Sequence, residues 1–291
     1  MSAWQIADLI DLARSQLEHP GDWSLTTNAS WLQQMYLGAD VQSHFWRKRT
    51  GALRAVAAVR EVPGAPAAIT VTSMLRPRAD ALWVEQRAWI ETTLRDMPRG
   101  IPIEAVCEAL TDAEAARWQS AGYDLTFEEL VMEHAWTTGS AAEAPRWPVG
   151  TALTEWSPAA AVASFEVYEN AFRNRPGFPG LTQADWIEHQ TDNDLFLTEA
   201  SFLVRIDGVA VGFVISGHGW IGQVGVAPAF RRRGLAGAMV TEALARLHAV
   251  GHELVHLHVN TNNPGAMATW RGLGFEPVGR RGRFERGAIP R

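Results

Sequence analysis

Two stretches of this 291-residue chain repeat each other, and the repeat limits the possible folds more than any other feature. Trp118-Gln119-Ser120-Ala121-Gly122-Tyr123 and Trp270-Arg271-Gly272-Leu273-Gly274-Phe275 share the pattern Trp-x-x-x-Gly-aromatic, 152 residues apart. A single match of that kind arises easily by chance, but the order of the surrounding elements agrees with it. At the same offset an apolar strand pattern at 101–107 falls on another at 253–259. A helical pattern at 80–97 lands near one at 234–250. The expectation is an internal duplication, two α/β units built on one plan. The stretch from Thr138 to Gly150 is rich in small residues and contains Pro145 and Pro148. It reads as a linker between halves of 1–140 and 150–291.

The second half gives the clearer element order. Residues 151–156 read as a strand, and Ser157-Pro158 as an N-cap with proline at the first helical position. That helix runs to about Phe172, and the loop Arg173-Asn174-Arg175-Pro176-Gly177 follows it. Thr182, with Asp185 three residues later, marks a second helix start. Asp207-Gly208 between two apolar runs is a hairpin signal. A strand at 220–226, a helix at 234–250, a strand at 253–259 and a short helix at 264–273 complete the unit. Residues 275–284 read as a pair of strands. The first half is a fainter copy, with strands near 45–48, 54–62, 67–74, 101–107 and 130–136.

Charge and composition exclude some functions. The net charge of −6 argues against general nucleic-acid binding. No apolar run approaches the ~18–20 residues that cross a membrane, and Met1-Ser2-Ala3-Trp4-Gln5 lacks the features of a signal peptide. A soluble, cytoplasmic protein with neither nucleic acid nor membrane as partner is expected. The one cysteine, Cys107, lies in an apolar strand pattern and reads as a buried, inert thiol. Charge is unevenly divided: residues 1–145 carry 12 basic and 19 acidic side chains, and residues 146–291 carry 14 and 13.

The segment most informative about chemistry is Gln223-Val224-Gly225-Val226-Ala227-Pro228-Ala229-Phe230-Arg231-Arg232-Arg233-Gly234-Leu235-Ala236-Gly237. A strand enters a turn at Pro228, and an arginine- and glycine-bearing loop then opens a helix. Helix N-termini present unpaired amides and the positive end of the dipole, and glycine lets an anion approach that backbone. This predicts a phosphate or pyrophosphate site. Neither the Walker pattern nor Gly-x-Gly-x-x-Gly is present in this loop. A plain basic helix start is the alternative.

Val226-x-Pro228-x-x-Arg231-Arg232-x-Gly234-x-Ala236 resembles the pyrophosphate loop of the GNAT N-acetyltransferase superfamily. Asn263-x-x-Ala266-x-x-x-Trp270-x-x-x-Gly274-Phe275 resembles a second segment of that family, at the expected distance and on matching elements. The resemblance covers 151–291 well. It covers 1–140 through element order and the Trp118 match alone. It implies a mixed-sheet α/β fold, with acetyl-CoA entering between two parallel strands that splay apart. Val224, Gly225 and Val226 would then face the pantetheine arm and acetyl carbonyl. Amides from Arg231, Arg232, Arg233 and Gly234 through Leu235, Ala236 and Gly237 would hold the pyrophosphate. Asn263, Ala266 and Trp270 would line the other side. Amides of the splayed strand would stabilise the oxyanion that forms during attack.

Two positions depart from the family pattern. Trp270 stands where members often have a tyrosine acid, and indole donates a hydrogen bond but supplies no proton. Water or another group could protonate the leaving thiolate, the thiolate could leave unprotonated, or the domain could bind without turnover. Members often carry a glutamate on the strand before the loop, and Trp220-Ile221-Gly222-Gln223 has none. His218, just before that strand, is the nearest titratable candidate for a general base; a solvated turn histidine is the alternative. His248, His252, His256 and His258 resemble a metal cluster only on paper, because they fall on different elements, and no metal is expected. Arg173 and Arg175 are candidates for recognising an acidic group on the acceptor. Arg280, Arg281, Arg283, Arg286 and Arg291 could meet the adenosine 3′-phosphate or form a solvated tail.

At the offset of 152, the pyrophosphate loop maps onto Ala79-Asp80-Ala81-Leu82-Trp83-Val84, which has no glycine and an acid that repels phosphate. The reading is therefore a tandem GNAT-like protein whose first domain is degenerate, an arrangement that loosely resembles the mycothiol synthases. Residues 150–291 would transfer an acetyl group from acetyl-CoA to a small-molecule amine by direct attack. Protein amino-group acetylation and a non-catalytic acyl-CoA-binding module are the alternatives. The oligomeric state is not legible.

Overall fold

The last strand of the sequence packs with the first half. The computed structural model describes residues 3–17, 28–62, 68–136, 144–175, 178–191 and 195–288. Residues 137–143 of the linker, Pro176 and Gly177 of the arginine loop, and Arg291 lie outside them. The chain divides into two compact units. One takes residues 1–131, 260–262 and 277–291, and the other takes 132–259 and 263–276.

In chain order the first half forms α1 (Ala3–Arg14), α2 (Ala29–Leu37), β1 (Gln42–Arg47), β2 (Leu53–Val62), β3 (Ala68–Leu75), α3 (Ala81–Arg95), β4 (Ile103–Cys107), α4 (Asp112–Ser120) and β5 (Asp124–Ala135). The second half forms β6 (Thr151–Glu155), α5 (Pro158–Phe172), α6 (Gln183–Thr191), β7 (Phe202–Ile206), β8 (Val209–Gly217), β9 (Trp220–Val226), α7 (Leu235–Ala249), β10 (Leu254–Asn260), α8 (Pro264–Gly272) and β11 (Glu276–Arg286). Both units have the mixed-sheet α/β architecture that the sequence implies. The first unit orders its strands β1-β2-β3-β4-β11-β5, with β3 and β4 parallel. The second orders them β6-β7-β8-β9-β10, followed by the end of β5, with β9 and β10 parallel.

Local chemistry sets the element boundaries. Asp207 and Gly208 both have positive φ, 49° and 81°, as a two-residue hairpin with a type I′ turn requires. The Ser157 hydroxyl accepts the Ala160 N–H at 3.2 Å, with Pro158 in the first turn of α5. The repeat noticed in sequence is a repeated helix with the same two caps. Thr111 accepts the N–H of Glu114 at the start of α4, and Asn263, 152 residues later, accepts that of Ala266 at the start of α8. Each helix closes on a glycine at positive φ, Gly122 (84°) and Gly274 (86°). Beyond each glycine, the N–H of Tyr123 or Phe275 donates to the carbonyl of Trp118 or Trp270 at 3.1 Å. Both tryptophans are buried.

Residues 275–284 do not form the expected pair of strands. They form one strand, β11, which runs antiparallel to β4 from Gly282↔Cys107 to Arg286↔Ile103. Phe284 is fully buried there in a core with Trp118, Tyr123, Ile90 and Val71. Nor is its arginine run a solvated tail or free for a ligand. Arg280 pairs with Asp112 and Glu128, Arg281 with Glu108 and Glu129, Arg283 with Glu104, and Arg286 with Glu91. The acidic excess of the first half is partly neutralised by a strand from the second.

The second unit layers α5 and α6 over one face of its sheet, where Phe165, Tyr168 and Trp186 pack on Leu203, Phe213 and Ile215. On the opposite face α7 brings Met239 so close to Gly212 that a Cβ there would lie 2.8 Å from its sulfur.

Candidate functional site

β9 and β10 pair over only two positions, His256↔Trp220 and Leu257↔Ile221. On its other edge β9 stays paired with β8 as far as Gly212↔Val226. The register against β8 shows why the first pairing stops. Ile215 faces Gln223 and Ser216 faces Ile221, so Gly222 has no opposite residue. One extra residue in a strand is a β-bulge, which raises the local twist and disrupts the ladder. The bulge falls one residue after the last contact with β10. Beyond it, residues 222–226 of β9 and 258–260 of β10 continue with no pairing between them. Their facing backbone groups are left for another partner.

The corresponding strands of the first unit show the contrast. β3 and β4 pair over four positions, Ile69↔Ile103 to Thr72↔Val106, and β3 pairs with β2 over eight without a register shift.

The loop after β9 is held by backbone and arginine contacts. The Ala227 N–H donates to Val211 O at 2.8 Å, and residues Pro228–Phe230 make a short 3-10 turn. The Arg231 guanidinium donates to Val226 O at 3.1 Å and to Ala171 O, near the end of α5, at 2.7 Å. Its own amide donates to Pro228 O. Arg233 lies over the Phe230 ring at 5.2 Å. These two side chains shape the loop, while Arg232 is exposed at φ 61°. Gly234 caps α7 at φ 78°, with no side-chain cap and nothing within 4 Å of where a Cβ would stand. The glycine is required by its φ, and the space before the helix is open. The first amides of α7, at Leu235, Ala236 and Gly237, stand at the positive end of a 15-residue helix, an arrangement that can receive an anion.

The remaining sequence-derived positions fall as follows. A Cβ on Gly225 would lie 2.2 Å from Phe213 Cε1, so only glycine leaves the strand unshifted there. Val224 and Val226 flank it on the unpaired edge. Asn263 and Ala266 are joined by the α8 cap at 3.2 Å, and Trp270 is buried one helical turn from its end. Arg173 pairs with Glu169 at 3.1 Å, and the Arg175 N–H bonds Phe172 O. Both arginines sit just past α5, close in sequence to the Ala171 carbonyl that receives Arg231.

His218 is not brought to this region. It lies in the turn before β9, with its Nδ1 3.4 Å from His252 Nε2. Six residues at ~3.3 Å each put Val224 roughly 20 Å along the strand. Burial, and then the neighbouring His218, lower the pKa of His252. The four histidines of the apparent cluster do not converge on one point: His252 lies beside His218, His248 stacks on Trp136 at 4.3 Å, and His256 meets Glu133 at 3.0 Å. Among the described residues no group of three or more His, Cys, Asp or Glu is placed to hold a metal ion.

Beside the bulge Trp220, His256, His258 and Glu133 gather, a grouping that the sequence reading did not assemble. His256-x-His258 was visible as an alternation that puts both rings on one face of a strand. Glu133 had no signal, because its partner is 123 residues away.

Residues 165–275 match the sequence profile of the Acetyltransferase (GNAT) family. A protein named mycothiol acetyltransferase from Streptomyces avermitilis is 29% identical over 169 residues, 55% of this chain and 54% of that protein. Its namesake from Streptomyces coelicolor is 29% identical over 156 residues, 51% of this chain and 50% of that protein. The chain thus spans about half the length of these curated relatives. Among solved structures, a GCN5-related N-acetyltransferase from Sphaerobacter thermophilus superposes with a TM-score of 0.72 at 22% identity, covering 98% of this chain and 93% of that one. A tandem GNAT protein from the clavulanic acid biosynthesis pathway gives 0.63 at 18% identity, covering 98% and 95%. At these identities the structures speak for the fold.

Proposed function

We propose, from the match of residues 165–275 to the Acetyltransferase (GNAT) family profile, that residues 150–291 transfer the acetyl group of acetyl-CoA to a primary amine of a small molecule. The observation that carries this reading is the bulge at Gly222, where the pairing of β9 and β10 ends. It leaves an unpaired strand edge that leads to the open cradle at Gly234. Acetyl-CoA suits these residues. Its pyrophosphate is an anion for the amides of α7, and its pantetheine amides can bond the free edge at Val224, Gly225 and Val226 as an added strand would. Asn263, Ala266 and Trp270 would line the other wall.

Bound there, acetyl-CoA supplies an acetyl group already activated as a thioester. The protein's share is to hold it, to exclude water, and to aim β9 amides at the carbonyl oxygen. Direct attack by the amine is favoured, because the one thiol of the sequence is not placed to take the acetyl group first. Cys107 is buried in the other unit, and burial raises its thiol pKa well above the usual range. The first domain, residues 1–140, is read as having no cofactor site. Its β3, the counterpart of β9, runs against β2 without a bulge, and Asp80 at the start of α3 is engaged by Arg117 at 2.9 Å. A small-molecule acceptor is supported by the relatives' name, mycothiol acetyltransferase.

The buried Trp270 favours a second reading, an acyl-CoA-binding module without turnover. The test is release of CoA thiol from acetyl-CoA with a panel of primary amines. The account expects release that depends on one class of amine. Binding of acetyl-CoA with no release for any amine would favour the second reading.

A further inference from the structure

The bulge at Gly222 also decides which side chains share a face. It puts Trp220 and Gln223, three apart in sequence, on the same side of β9. This is the side of Ile215 and Phe213, beneath α5 and α6. His256 is the direct neighbour of Trp220 on β10, and His258 lies two residues on, along the same face. The Trp220 ring packs against both, 5.0 Å from His256 and 4.9 Å from His258. His258 is the first residue of β10 beyond the last pair with β9. It therefore stands across the mouth of the gap from Gln223. The Gln223 Oε1 is buried and has no hydrogen-bond partner among the described residues. A buried acceptor left unmatched is costly, and an N–H donor from a ligand would satisfy it.

We propose that His258 and Gln223 together receive the acceptor amine at the apex of the gap, with His258 as the base. The proposal rests on the acetyltransferase reading and adds its proton acceptor. In the step, the neutral amine donates one N–H to Gln223 Oε1 and turns the other towards the His258 imidazole. The nitrogen–carbon bond forms at the acetyl carbonyl and the proton passes to His258. The carbon–sulfur bond breaks, its electron pair leaves on the CoA sulfur, and water protonates that sulfur. His258 returns its proton to solvent. Among the described residues, the titratable groups on this face include His256 with its partner Glu133, and Tyr168 from α5, whose phenol burial pushes up. Glu133 holds His256 in place, which leaves the base role to His258, the ring at the gap. Because the base acts as neutral imidazole, activity falls as pH drops through its titration.

The test uses full-length protein with isotope-labelled histidine. The imidazole signal of His258 is identified by its loss in His258→Gln. Adding acetyl-CoA is expected to move that signal and leave those of His218 and His252 in place. His258→Gln is expected to bind acetyl-CoA within about threefold of the parent protein. With the best amine of the panel, it should release CoA at least about 100-fold more slowly and lose the acid limb of the pH–rate profile. An unmoved His258 signal in protein saturated with acetyl-CoA overturns the assignment, whether or not turnover is found. So does an unchanged acid limb in His258→Gln. A failure of the parent protein to bind acetyl-CoA at all brings down the underlying reading, and this one with it.

Discussion

Ending the chain after Glu276 unfolds the amino-terminal unit, although the residues removed come from the other end of the sequence. β11 lies between β4 and β5, so its loss opens the sheet of that unit in the middle. Phe284 leaves the core around Trp118, and Arg281 leaves Glu108, a carboxylate only 5% exposed. Burial already raises the pKa of Glu108, and Arg281 and Arg283 oppose that rise. Without them the group is either an unpaired buried charge or a protonated acid. The sum exceeds the ~5–15 kcal/mol that stabilises an ordinary domain. Limited proteolysis should cut the truncated protein throughout 28–131 under conditions that leave the intact chain whole. A milder version, Phe284→Ala, should cost about 3–5 kcal/mol in denaturant unfolding of the first unit. A protease-resistant first unit in the truncated protein would show that β11 does not complete it.

The second large effect is at the anion cradle. Gly234→Glu places a carboxylate where the pyrophosphate is expected and forces a side chain into φ 78°. The conformational part is ~1–2 kcal/mol, which lowers the melting temperature by several degrees. The electrostatic part falls on binding. Acetyl-CoA affinity should drop at least about 100-fold, about 2.7 kcal/mol. Gly234→Ala separates the two, because it carries the strain and not the charge. It should melt like the glutamate variant and hold most of the parent affinity. Calorimetry and thermal melts on the three proteins check this. Equal affinities for all three would remove the cradle from the account.

Much of the fold was legible where the signal is local. Asp207-Gly208 forms the hairpin, Ser157-Pro158 starts α5, and the duplicated Trp-x-x-x-Gly-aromatic motif is a duplicated helix end. The bounds of β9 at 220 and 226 match the sequence reading, because a Gly-His-Gly turn precedes it and Pro228 follows it. The helix at Ala29–Leu37 was missed despite its Asn28 cap, since a single cap residue is a weak cue. The destination of β11 was not legible at all. Its pattern says strand, and nothing in it says that its partner lies some 175 residues upstream. Even so, the charge imbalance between the halves was a trace of that exchange.

The candidate site divides in the same way. The loop from Pro228 to Gly237 was readable because positive-φ glycine and a helix start are local properties. The bulge at Gly222 was not, since a bulge exists only relative to the neighbouring strand. That one residue sets which side chains share the face, so the sequence pointed to His218, while the proposed base, His258, follows from the register of the bulge. Arg231 ties β9, α5 and the turn together, and its amide, expected among the pyrophosphate donors, is already bonded to Pro228 O.

The most direct measurement of the central claim is calorimetric titration of acetyl-CoA into the full-length protein, read for stoichiometry. The account predicts one equivalent per chain. Two equivalents would mean that the first unit, with its continuous β3–β4 pairing and Asp80 at the helix start, binds acetyl-CoA as well. No binding would contradict the account outright, because the gap beside Gly222 and the cradle at Gly234 would then have to serve some other ligand.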